Sequence, residues 1–129
     1  MNQRKIAELD DLHDAVIEQI LWKEEQKTRH LQVTFLCEEG CERPDWAGRR
    51  VVVTFRDVLL QLSLLLGHTA GTDTLDYCND SLSGNATRHL QALSSLGISS
   101  PRTCVRLALH SGSEIEIVCD GITIEASAV

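Results

Sequence analysis

Aromatic side chains are scarce in this chain: two Trp, two Phe and one Tyr make up 4% of 129 residues. Binding single-stranded nucleic acid by stacking needs rings in series, so that class is disfavoured and the core must be filled by Leu, Val and Ile. Basic residues are also in the minority, with 12 Lys and Arg against 19 Asp and Glu, a formal charge of −7 and an isoelectric point near 5.1. Nucleic acid and anionic membrane are held by Lys and Arg set against phosphate, so neither is expected as a direct partner; a basic protein suits this balance better. No apolar run approaches the ~18 residues of a spanning helix. The first residues carry Arg4 and Lys5 with no apolar stretch behind them, which does not read as a secretion signal, so a cytosolic location is expected.

Enzyme signatures are missing too. The chain has no glycine-rich phosphate loop, dinucleotide fingerprint, serine elbow or paired-histidine zinc motif, and the expectation is a protein that is not an enzyme and carries no cofactor. The five cysteines, Cys37, Cys41, Cys78, Cys104 and Cys119, are an odd number, which together with the missing export signal argues for reduced thiols. Asn79-Asp80-Ser81 and Asn85-Ala86-Thr87 match the glycosylation pattern but read as turn chemistry.

What is present is alternation. A chain of this length buries about two-thirds of its unfolded surface around one core, so 1–129 is read as one domain. Ile6, Leu9 and Leu12 share a helical stripe at the start. Residues 15–23 are largely apolar in both parities, which reads as a strand with both faces partly covered, with a helix as the alternative. Residues 24–29 form a charged turn, and Leu31, Val33, Phe35 and Cys37 then alternate with polar residues, completing a hairpin. Residues 37–48, with Gly40, Pro44 and Gly48, read as an exposed loop, and Arg50–Arg56 as a third strand.

Residues 57–66 fit a strand face and a helix stripe equally well; the position directly after a strand favours β. Residues 67–83 are polar and show no secondary-structure signal, and Leu90, Leu93 and Leu96 before Gly97 mark a short helix. Val105, Leu107 and Leu109, the turn Ser111-Gly112-Ser113, then Ile115, Ile117 and Cys119 form a hairpin. Asp120-Gly121 and Ile122, Ile124 and Ala126 extend it to a three-stranded meander. The fold class is therefore α+β and β-dominated: an antiparallel sheet of about six or seven strands, as a partly open barrel or sandwich, with one or two short helices.

Candidate chemistry is thin. Cys37-x3-Cys41 offers two of the four ligands of a structural zinc site, and the simpler reading places Cys37 at a strand end facing the core and Cys41 on the loop, with no metal. His13-Asp14 are adjacent and point apart in extended chain, so a turn role fits better than a base and its orienter. Cys78 as a nucleophile would need His68, His89 or His110 beside it. The spacing of Asp73, Asp76 and Asp80 does not match a calcium loop. Acidic residues cluster at the beginning (Glu8, Asp10, Asp11, Asp14, Glu18), in one loop (Glu38, Glu39, Glu42) and at the end (Glu114, Glu116, Asp120, Glu125). The candidate partner-binding residues are Asp10, Asp11, Asp14, Glu38, Glu39, Glu42, Asp73, Asp76 and Asp80.

Two stretches carry a resemblance. Leu12-His13-Asp14-Ala15-Val16-Ile17-Glu18-Gln19-Ile20, followed by a hairpin, and Ser111-Gly112-Ser113-Glu114-Ile115-Glu116-Ile117-Val118, before a last short strand, resemble a set of small bacterial proteins. That set includes uncharacterised domains and immunity proteins that neutralise contact-delivered toxins. The resemblance implies a β-dominated fold and a protein partner, and transfers no functional residue. The expected function is an immunity-type binding protein that occludes a basic toxin. The alternatives are a homo-oligomeric assembly module, as a homodimer through an exposed strand edge or residues 59–66, and a small thiol or metal protein built on Cys37 and Cys41.

Overall fold

The computed structural model describes residues 3–41, 43–65, 71–98 and 103–127. Alternating aliphatic residues form eight strands: β1 (Val16–Glu25), β2 (Thr28–Leu36), β3 (Arg50–Arg56), β4 (Leu60–Leu64), β5 (Leu75–Asn79), β6 (Thr103–Leu109), β7 (Glu114–Cys119) and β8 (Gly121–Ala126). Two helices, α1 (Gln3–Asp10) and α2 (Gly84–Ser95), and one 3₁₀ turn at Pro44–Trp46 complete the described elements. The strands form two antiparallel sheets of four, β1-β2-β3-β8 and β4-β7-β6-β5, the β-dominated α+β architecture expected from the sequence.

The registers show how the sheets are joined. β3 pairs with β8 from Val51↔Ala126 to Arg56↔Gly121, and β4 pairs with β7 from Leu60↔Val118 to Leu64↔Glu114. The two ladders are one antiparallel ribbon bent at Asp57–Leu59 and Asp120, where the register slips by one residue as at a β-bulge. Asp57 takes φ 48°, the left-handed region that L residues rarely adopt. Its backbone N–H donates to Nδ1 of the buried His30 (3.0 Å), which fixes the imidazole proton on Nε2, beside Thr28 Oγ1 at 3.3 Å. Val58 N–H donates to Arg29 C=O and Leu59 N–H to Val118 C=O, so the corner's backbone donors are satisfied.

On the opposite side a short ladder joins the start of β1 to the segment before β5. Asp14 N–H donates to Leu75 C=O, Leu75 N–H to Ala15 C=O, and Ile17 N–H to Asp73 C=O. Counted through the bent strands, the molecule is a barrel open at two seams: the outer edges of β8 and of β4 have no strand partner among the described residues. The core between the sheets contains Val33, Phe35, Val51, Val53, Phe55, Val105, Leu107, Ile115 and Ile117, all within 2% of complete burial. Leu9 and Leu12 seal one end.

Five sequence expectations change. β1 is apolar in both parities because Glu18 is a bulge: the pairing steps from Ile17↔Phe35 to Gln19↔Thr34. The face shared with the core therefore switches from Ala15 and Ile17 to Ile20, which packs on the core, and Trp22, which lies opposite Leu31 at the strand's end and is 40% exposed. The charged turn shrinks to Gln26-Lys27, with φ 47° and 70°, the left-handed pair of a two-residue hairpin turn without Gly. The loop after β2 is anchored by Trp46, only 4% exposed, under the Arg43 guanidinium at 3.9 Å. Strand β5 lies in the stretch expected to be irregular, because only Leu75 and Cys78 of its side chains turn inward. The C-terminal meander does not form: β8 leaves β7 at the corner and pairs with β3.

Other expectations stand. The start is helical, residues 60–64 are a strand, and the short helix expected before Gly97 forms as α2, where Ser83 Oγ accepts from Ala86 N–H (3.2 Å) and Gly97 takes φ 81°. Asn79 Oδ1 accepts from Ser81 N–H in a turn, whereas Asn85 lies inside α2.

Replacing His30 with Ala leaves the Asp57 N–H without its acceptor at the bend and should lower stability by about 1–3 kcal/mol in urea unfolding. A variant as stable as the parent would show that the corner holds without the imidazole.

Candidate functional site

The candidate acidic residues gather where α1, β5, the start of β1 and the turn after β2 meet. The end of α1 places Asp10 over β5, where its Oδ1 accepts from Cys78 N–H (2.9 Å). With Asp80 it flanks a shallow cavity of about 310 Å³ lined also by Ile6, Ala7 and Asn79. Asp14 has left-handed backbone (φ 68°) and an exposed carboxylate. It shares a cavity of about 220 Å³ with His13, Ala15, Glu38, Gly40 and Cys41. Asp11 and Glu8 lie close enough to Arg43 for their charges to raise its pKa, after the larger effect of its hydrogen bonds to Asp45. Glu39 is exposed on the same turn as Glu38. Glu42 lies outside the described residues.

His110, at the end of β6, is the centre of this surface. Its Nδ1 lies 2.8 Å from Thr74 Oγ1, and its Nε2 faces Asp76 Oδ1 at 3.4 Å and Asp14 Oδ1 at 3.6 Å. All three side chains are about half exposed or more. Contacts this exposed are worth little, of the order of 0–1 kcal/mol. Their geometric effect is larger: two carboxylates distant in sequence are held within reach of one imidazole.

Asp73 departs from expectation. It is 7% exposed, and its Oδ1 accepts from the N–H groups of Thr74 (3.0 Å) and Ser111 (3.3 Å). Its Oδ2 lies 2.7 Å from Ser111 Oγ, itself 2.8 Å from Ser113 Oγ. A buried carboxylate with this set of donors holds the β6–β7 turn against the segment before β5 and is not available to a partner. Other acidic residues are similarly engaged. Glu116 is buried and accepts from Ser83 N–H (2.7 Å), Glu18 pairs with Arg50 (2.6 Å), and Glu114 pairs with Arg106.

Two of the thiols, Cys37 and Cys78, are held in their protonated form. Burial, then the neighbouring Cys41, pushes Cys37 up to about 12. Burial, then the charges of Asp10 and Asp80, does the same to Cys78. A nucleophile needs the opposite shift, so Cys78 is not an activated thiol; His68, one of its conceivable partners, lies outside the described residues. Among the described residues no group of three or more His, Cys, Asp or Glu side chains is placed to hold a metal ion, and no helix is long and apolar enough to cross a membrane.

Sequence reasoning named most of these carboxylates but missed His110 and Thr74 as their organisers. The Thr74–His110 contact spans 36 residues, and no local pattern could announce it. No protein-family model, curated protein or solved structure matches this chain.

Cys37 and Cys78 have folded-state pKa values raised from 9.0 to about 12. Between those limits the folded state keeps a proton that the unfolded state releases, so the contribution is complete below pH 9 and is lost as pH rises toward 12. Under reducing conditions stability should fall across that window by about 1.4 kcal/mol per pH unit for each thiol. Cys78→Ala should flatten the slope by one thiol's share in a pH series of urea unfolding; an unchanged slope would refute the assignment.

Proposed function

We propose that the protein acts by binding, covering a basic protein partner with the acidic surface around His110. The observation that carries this reading is the convergence of Asp14 and Asp76 on one imidazole, with Glu38 on the cavity that Asp14 also lines. Carboxylates gathered this way sum their fields and speed the approach of a basic surface. The partner class comes from the resemblance to immunity proteins: a basic toxin, such as a nuclease, blocked by occlusion. The two stretches that carry the resemblance meet at this surface, since Ile17 N–H and the Ser111 side chain both bond to Asp73.

Co-expression with a toxin encoded beside the protein's own gene tests the proposal. Rescue and a stable complex are expected. The triple reversal Asp14→Lys, Glu38→Lys, Asp76→Lys should slow association by about tenfold or more at low salt, while Glu125→Lys on β8 should leave it unchanged. Neither rescue nor complex would overturn the reading.

A second reading, a homo-oligomeric module, is favoured by one observation at the far end of β1. Ile20 and Trp22 face Gln61, Ser63 and Leu65 across an apolar groove of about 320 Å³, lined also by Leu31 and Ile115. β4 carries no charge along this outer edge, and such edges invite pairing. Light scattering on purified protein decides: a dimer that Ser63→Lys disperses supports this reading, and a monomer at all concentrations removes it.

A further inference from the structure

Cys37 and Cys41 lie at the two ends of a tight turn whose second end is reachable from solvent. Cys37 is 1% exposed, and its backbone is clamped by bonds from its N–H to Arg49 C=O and from Gly48 N–H to its C=O, both 2.9 Å. The Cys41 N–H folds back onto Glu38 C=O (3.1 Å), so the chain reverses between the two cysteines. The Cys41 side chain packs against the core cluster that includes Cys37, and its Sγ–H donates to Arg43 C=O (3.1 Å). Cys41 also lines the 220 Å³ cavity beside His13, Asp14 and Glu38. One thiol therefore faces solvent through a cavity and the other stands behind it. A Cβ at Gly40 would meet nothing within 4 Å, so the turn has room to adjust to the narrow geometry a disulfide requires.

We propose that Cys41 and Cys37 form a reversible disulfide when the protein meets a hydroperoxide, with Cys41 the thiol attacked first and Cys37 the resolving thiol. The Cys41 thiolate attacks the peroxide: a sulfur–oxygen bond forms, the oxygen–oxygen bond breaks, and the departing oxygen leaves protonated as water or an alcohol. Cys37 sulfur then attacks the sulfenic sulfur of Cys41. The sulfur–sulfur bond forms, the sulfur–oxygen bond breaks, and the leaving hydroxide takes the Cys37 proton as water. Two thiols are oxidised and one hydroperoxide is reduced. A small external thiol reverses the step by exchange. Asp14 and Glu38 at the cavity disfavour anionic oxidants and leave a neutral hydroperoxide as the reactant. Burial keeps Cys37 protonated, so it resolves slowly and faster as pH rises. This inference stands apart from the choice of protein partner.

The test treats the full-length reduced protein with hydrogen peroxide, quenches, unfolds, alkylates the remaining thiols and maps them by mass spectrometry. Cys37 and Cys41 should lose alkylation together and recover it with dithiothreitol, while Cys78, Cys104 and Cys119 stay alkylatable. In Cys41→Ser, Cys37 should remain alkylatable after the same dose. Accumulation of Cys41 as sulfinic acid with Cys37 still free, or oxidation of Cys104 ahead of the pair, would overturn the proposal.

Discussion

The bend at Asp57 is the constraint on which the rest of the molecule depends. A ribbon running straight past Asp57 and Asp120 would put Phe55 and Ile117, which share one core, on faces that never meet. The left-handed residue and the one-residue register slip turn the ribbon, and the β3 face carrying Val51, Val53 and Phe55 comes to lie over Ile115 and Ile117. Bending both strands together keeps their hydrogen bonds almost intact through the corner. The cost of a non-glycine residue at positive φ, about 1–2 kcal/mol, is set against a core that neither sheet could bury alone.

Folding a ladder back on itself leaves open edges, and the two ends of β1 meet the other sheet with opposite chemistry. The start of β1 is closed against residues 71–75 by the short ladder, beside carboxylates and His110. Its far end stays open toward β4 over Ile20, Trp22 and Leu65. The exposed end of β1 carries Lys23, Glu24 and Glu25, charges that discourage edge pairing, whereas Leu60–Leu64 carries none. Polarity is thus distributed along a single strand, and the Glu18 bulge between the two regions switches which of its side chains turn inward.

The fold was legible wherever one face of a strand is buried and the other wet. Leu31, Val33 and Phe35 in β2 and Val105, Leu107 and Leu109 in β6 announce themselves by period. It was illegible where a bulge resets the period, as at Glu18. It was also illegible where a short strand buries only two side chains, as Leu75 and Cys78 do, and where a strand leaves its neighbour for another sheet. Asp120-Gly121 has the composition of a hairpin turn and serves as a corner, because the strand from Gly121 to Ala126 finds an open ladder position beside β3. The acidic clusters were visible as composition. That Asp73 is buried while Asp76 is exposed depends on which side of the segment faces Ser111, and that is set by tertiary register alone.

The charge on the acidic end is more concentrated than the total of −7 suggests. Five of the described cations sit with carboxylates: Arg29 with Glu24, Arg50 with Glu18, Arg106 with Glu114, Arg43 with Asp45 and Lys5 with Glu8. These pairs are mostly exposed and add little stability, yet each removes a charge of either sign from the long-range field. The field remaining around His110 belongs to Asp14, Asp76, Glu38 and their neighbours Asp10 and Asp80. A field built from a few fixed carboxylates at one end, over a range of about 8–10 Å at ordinary salt, gives an approaching basic surface an orientation as well as an attraction.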